Sequence, residues 1–193
     1  MPVTIKVVNS SEVNSVSLPG AFIYVNTGVI LAADNEAELA FVMAHGVAHV
    51  AARHFTEQES KGQLIHFASI PLIFMGGVGG FALRQASNTM VPISFLAFMR
   101  KDVTEADYLG VQYLYKAGYD PRAAVHFLEE LQKIEPAGNR TVSLFSTHPA
   151  TADRIKATQQ NIDLILPPRP QNVTTTPEFV AIKTQVAQLP GPH

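Results

Sequence analysis

The chain has 193 residues, 47% of them hydrophobic and 16% charged, with a net charge of −2. That length and balance suit a folded domain with a substantial core and exclude a disordered chain; the charge offers no basic surface for a nucleic-acid partner. Cysteine is absent, which rules out disulfides, thiolate metal ligands and a cysteine nucleophile. Any metal must be held by His, Asp or Glu, and seven histidines are available.

Residues 1–10 lack the basic flank and apolar run of a signal peptide. Residues 3–8 read as a short strand, and residues 21–25 as a second after the turn signal Leu18-Pro19-Gly20. Thr27-Gly28 reads as a further break, which predicts a hairpin-like edge sheet through residue 31. A strong helix follows. Asp34 or Asn35 can cap it, Glu36 and Glu38 suit its first turn, and Leu39, Val42, Met43 and Val50 form its apolar stripe. It is expected to run to about Phe55.

Residues 62–83 contain no Asp, Glu, Lys or Arg. The length matches a membrane span, but Pro71 and glycines 76, 77, 79 and 80 oppose a regular helix. A buried or membrane-touching hairpin, or a lid, fits better. A second strong helix is expected from near Phe95 to Gly118, and a third from Asp120-Pro121 to Pro136. A short helix over residues 149–162 comes next. The Pro- and Thr-rich stretch from residue 167 reads as a linker or wrapped extension carrying a short helix at residues 177–189. This divides the chain into a main domain, 1–166, and an extension, 167–193.

His45 and His49 lie at i and i+4, on one helix face and about 6 Å apart at Cβ. That spacing lets two imidazoles reach one tetrahedral zinc; two helix-face histidines without metal are the plainer alternative. The zinc-peptidase helix reads H-E-x-x-H, with the glutamate as general base. Here Gly46 stands at that position, with no acid–base chemistry and a cost of about 1 kcal/mol inside a helix.

Five motifs in order carry a resemblance. Residues 14–20 are similar to N-A-F-A-L-P-G, residues 23–28 to an edge strand, and residues 38–54 to E-L-A-x-V-x-A-H-E-x-x-H-V-x-x-R-H. Residues 105–121 are similar to E-A-D-x-x-G…A-G-Y-D-P, and Thr147-His148-Pro149 with Arg154 to T-H-P and the arginine after it. The chain thus resembles the gluzincin-type metallopeptidases that include HtpX, BepA, mitochondrial Oma and the CAAX prenyl protease. The resemblance implies an α+β fold, mostly α-helical: a zincin-like domain with a small edge sheet packed on the site helices. It implies zinc, a polypeptide substrate or protein partner, and the bacterial periplasm or a membrane-associated location.

The resemblance places His45 and His49 as ligands and Asp107 as the support of a ligand histidine. The third ligand, a glutamate in the family, falls on Val103, so His148 is the remaining ligand candidate. Glu105 lies about 200° around the helix from that position and should face away. Ile23, Tyr24, Val25 and Asn26 are expected to bind extended substrate by strand addition. With Gly46 and Val103 in place of two acids, the expectation is weak or absent zinc binding and little or no hydrolysis. The alternative function is a pseudo-peptidase that binds polypeptide or a partner, with membrane contact through residues 62–83. His54 reads as a cation at a helix C-terminus pointing off the metal face, and Arg53 as a partner for Asp107 or Asp153. His66 reads as a buried core histidine, and Phe67, Phe74, Phe81, Phe95 and Phe98 as packing residues. His126 and His193 are not site candidates. The glycosylation patterns at Asn139 and Asn172 are weak.

Overall fold

In the computed structural model, residues 2–63, 99–134 and 150–190 are described. Most of the apolar segment 62–83, the start expected near Phe95, Asn139 and all of Thr147-His148-Pro149 lie outside the described residues, as does His66.

Three strands come first: β1 (Thr4–Val8), β2 (Ser15–Leu18) and β3 (Phe22–Asn26). Their order is β1-β3-β2, with β1 parallel and β2 antiparallel to β3. β2 was not legible in the sequence, because four residues with two serines give little strand signal. The Pro19-Gly20 turn after it is as expected, with Gly20 at φ +87° and Ala21 at φ +66°. Alternation along β3 puts Ile23 and Val25 into the core.

The hairpin expected through residue 31 is replaced by a helix, α1 (Thr27–Ala32). Its start is tied to the β1–β2 loop: Gly28 N–H and Thr27 Oγ1 both donate to Ser10 O, at 2.8 and 2.9 Å. A Cβ at Gly28 would lie 2.5 Å from the Ser11 and Glu12 carbonyl oxygens, so a glycine is required for this approach.

α2 (Glu36–Ala51) starts as expected at Asn35, whose side chain accepts from Glu38 N–H at 3.1 Å. Glu38 reaches back, accepting at 2.8 Å from both Asp34 N–H and Asn35 Nδ2. Burial pushes the Glu38 carboxyl above its ordinary pKa, although these donors act the other way. The helix ends at Ala51 rather than near Phe55. Arg53 turns left-handed, at φ +58°, and a new helix, α3, covers residues 54–63.

Beyond the first gap come α4 (99–116), α5 (Ala123–Ile134), α6 (Thr151–Ile165) and α7 (Pro177–Ala187). α2 packs on β2, β3 and α5, α5 packs on α6, and α7 covers α1. The core joins Ile23, Val25, Phe41, Leu114, Leu128, Ile162 and Phe179. The chain is thus an α+β fold, mostly α-helical, with a small sheet on the helix that carries the histidine pair.

The Pro- and Thr-rich extension wraps this core. Tyr115 OH donates to Pro167 O at 2.8 Å, and the Arg169 guanidinium stacks 3.8 Å from the Tyr115 ring centroid. Ala37 N–H donates to Thr174 O, and Phe179 is buried. Glu36 joins the layers, accepting from Tyr119 OH at 2.6 Å and from Thr176 Oγ1. The Thr176 and Tyr119 hydrogen bonds hold the Glu36 carboxyl below its ordinary pKa, and Tyr119 is pushed up to about 12 by the same bond together with burial.

A carboxylate with a lowered folded pKa stabilises fully above its unfolded value, about 4.3, and loses that contribution as pH falls from there through the folded pKa. Glu36→Gln is expected to cost about 1–2 kcal/mol at pH 7 and much less near pH 3. Denaturant unfolding at both pH values checks this, with limited proteolysis of the extension as a local readout.

Candidate metal site

α4 crosses α2 at Gly110. A Cβ there would sit 3.2 Å from both Cα and N of His45, tighter than nearly all real Cβ contacts, so any larger residue would push the two helix backbones apart by a few tenths of an ångström. One turn earlier on α4, Asp107 is brought to His45, with Oδ1 2.9 Å from Nδ1. The contact has ion-pair length but lies off the line of a well-directed hydrogen bond. Arg154 of α6 donates to Asp107 through Nε at 2.7 Å and Nη2 at 2.8 Å. Arg154 and Asp107 are both buried. Burial alone would raise the Asp107 pKa. The Arg154 charge and hydrogen bonds, with His45, outweigh it and hold the carboxyl well below the usual range. Asp107 thus lies beside His45, and the cation next to it is Arg154 and not Arg53, which is exposed.

His45 and His49 point Nε2 atoms at each other, 3.1 Å apart. Two nitrogens on one tetrahedral zinc, each bound at about 2.05 Å, are separated by about 3.3 Å. The pair therefore fits the two-histidine half of a zinc site, and Asp107 behind His45 is the outer partner such a ligand uses. Val103 is buried and has no donor atom. Among the described residues no group of three His, Asp or Glu side chains could hold a metal, and His148 lies outside them.

One expectation about a neighbouring residue is corrected. His54 does not point away. A continuous helix would have set it about 140° from His49, but the left-handed turn at Arg53 folds it back. His54 Nδ1 lies 3.0 Å from His49 Nδ1, and the ring is 2% exposed. Glu105 is half exposed, and its carboxylate lies 3.7 Å from His54 Nε2, the ring nitrogen turned away from His49. The R-H pair at the end of the motif was the one signal that could have drawn attention to His54.

Ile23, Tyr24, Val25 and Asn26 do not form an edge. β3 is the central strand, with β1 on one side and β2 on the other, so strand addition to it is blocked. The strand lying on α2 at the edge is β2, where Ser17 Oγ donates to Gly46 O at 3.2 Å. A Cβ at Gly46 would meet Ser17 Oγ and Ile23 Cγ2, each at 3.1 Å. Gly46 therefore allows the sheet to settle closely on the histidine helix, which offsets its low helix propensity. A groove of about 580 Å³ opens beside this edge, lined by Leu18, Pro19, Gly20, Val47, His49 and Arg53 among others.

Residues 2–162 match the family model described as Peptidase family M48. The chain belongs to this family of metallopeptidases. It is 28% identical to the beta-barrel assembly-enhancing protease of Escherichia coli (strain K12) over 92% of its length, and 37% identical to the mitochondrial metalloendopeptidase OMA1 of Arabidopsis thaliana over 80%. It is 30% identical to OMA1 of Schizosaccharomyces pombe, again over 80%. The chain spans only 37%, 30% and 45% of these relatives' own lengths.

Both supports of His45 can be tested by substitution. Arg154→Met leaves Asp107 buried without its cation, and is expected to cost about 3–5 kcal/mol in denaturant unfolding. Gly110→Ala forces a Cβ against helix backbone and is expected to cost about 1–3 kcal/mol; a crystal structure of the variant should show Asp107 displaced from His45.

Proposed function

We propose that this domain keeps the metal-binding and polypeptide-binding architecture of its family but hydrolyses peptide bonds poorly or not at all. The 3.1 Å convergence of the His45 and His49 Nε2 atoms carries the metal half of this reading. Bound there, zinc would supply Lewis acidity. His45 and His49 would hold it, Asp107 would keep the His45 ring oriented, and His148 is the proposed third donor. A site with three neutral imidazoles leaves the full charge on zinc, so binding should be weaker than with a glutamate ligand.

The catalytic half is missing side chains. A general base is worth about 10²- to 10⁴-fold in rate, or about 3–5 kcal/mol. Gly46 offers no proton acceptor, and Val103 offers no ligand. The polypeptide half is proposed for the outer edge of β2 and the groove beside it, where extended backbone could pair and apolar side chains could enter. A pseudo-peptidase that captures a polypeptide or protein partner is therefore the working function. For setting, we propose the periplasm or a membrane surface, on the strength of a family that includes a beta-barrel assembly-enhancing protease and a mitochondrial metalloendopeptidase. No helix among the described residues is long and apolar enough to cross a membrane.

Cleavage of casein by the purified chain tests this directly. No chelator-sensitive cleavage is expected from wild type, and such cleavage would overturn the inactivity. Gly46→Glu with Val103→Glu is expected to restore tight zinc and measurable cleavage. Adding Ser17→Ala should recover stability in that variant, by removing one of the close contacts to the new Cβ.

A further inference from the structure

A buried imidazole must be hydrogen-bonded or it destabilises the fold. His54 is 2% exposed and contacts two polar groups: His49 Nδ1, 3.0 Å from its own Nδ1, and the Glu105 carboxylate, 3.7 Å from its Nε2. The first contact has hydrogen-bond length and the second does not. The His54 and His49 rings meet edge to face, with centroids 4.9 Å apart and planes at 77°. Two ring nitrogens facing each other at 3.0 Å need one proton between them: one ring donates, the other accepts.

His49 is therefore gripped on its Nδ1 side by His54, as His45 is approached on its Nδ1 side by Asp107. The two Nε2 atoms that converge are those left over. We propose that His54 is a positioning residue for His49, fixing the orientation and tautomer of its imidazole so that Nε2 faces His45. The contact exists because Arg53 breaks α2 with a left-handed residue, at φ +58°; without that break His54 would lie on another face. Glu105, 49% exposed at its side chain, supplies a negative charge near His54 Nε2. That favours a proton on Nε2 and leaves His54 Nδ1 as the acceptor. His49 then carries its proton on Nδ1 and presents an unprotonated Nε2, which accepts from His45 Nε2 across their 3.1 Å contact in the metal-free protein and is the form a metal ligand requires.

The second arm of the test rests on the reading of His45 and His49 as a metal pair; the first does not. Two polar replacements of His54 differ in reach. In His54→Asn the amide oxygen stands where the ring Nδ1 stood, whereas in His54→Gln it stands near the former Nε2. In metal-free protein, two-bond nitrogen–proton spectra of the His49 ring should show a single, slowly exchanging tautomer in wild type and His54→Asn. His54→Gln and His54→Phe should show mixed tautomers and fast exchange. Cobalt(II) titration followed by its visible absorption should show about 10- to 100-fold weaker binding in the Gln and Phe variants, with the Asn variant within a few-fold of wild type. A single His49 tautomer retained in both Gln and Phe variants would overturn the proposal, as would unchanged cobalt affinity in these variants when wild type binds. A wild type that binds no cobalt, with the tautomer pattern as expected, removes the metal reading and leaves the role of His54 standing.

Discussion

The buried carboxylate of Asp107 is the group on which this site depends. It takes two hydrogen bonds from Arg154 and faces His45, so three helices far apart in sequence meet at two oxygen atoms. Neither charge could remain buried alone, because desolvation of an unpaired ion outweighs most single packing gains. The ion pair gives little net stability against an apolar replacement of similar shape. Its effect is positional: it holds α4 and α6 where the His45 ring has one favoured orientation.

Around that pair, contacts between backbones are as decisive as side chains. Gly110 lets α4 approach His45, and Gly46 lets the sheet approach α2 from another side. The histidine helix is thus enclosed by neighbours that leave little room for a methyl group at either glycine. Its start is fixed with equal care, by the reciprocal bonds of Asn35 and Glu38 and by Glu36, which ties the extension back to the same turn.

Much of this was legible from residue types. The Asn35 cap, the i, i+4 histidines, the helix that begins just after Asp120-Pro121 and the Pro177 helix all declare themselves by local chemistry, and Asp107 was anticipated beside His45. What failed shares one physical cause: each failure was a matter of tertiary geometry or of one dihedral angle. β2 has too few residues to announce itself. β3 reads as an edge strand until β1 is seen parallel beside it, and a parallel neighbour leaves no mark on the strand's own sequence. Arg154 could not be matched to Asp107 from 47 residues away by charge alone. His54 was misplaced because extrapolating a helix assumes that every residue repeats the same dihedral angles.

The turn at Arg53 shows what such an assumption conceals. An L-residue in the left-handed region carries a cost of about 1–2 kcal/mol, and the exposed arginine side chain gives no return through burial. The property under constraint at residue 53 is a handedness, not a functional group. Glycine or asparagine should be welcome there, and valine or isoleucine should not, although none of them touches a histidine. Deleting a single residue at this corner would leave both helices intact and turn α3 by about 100°, separating His54 from His49. Tolerance to side-chain exchange and intolerance to a change in length would then coexist at one position.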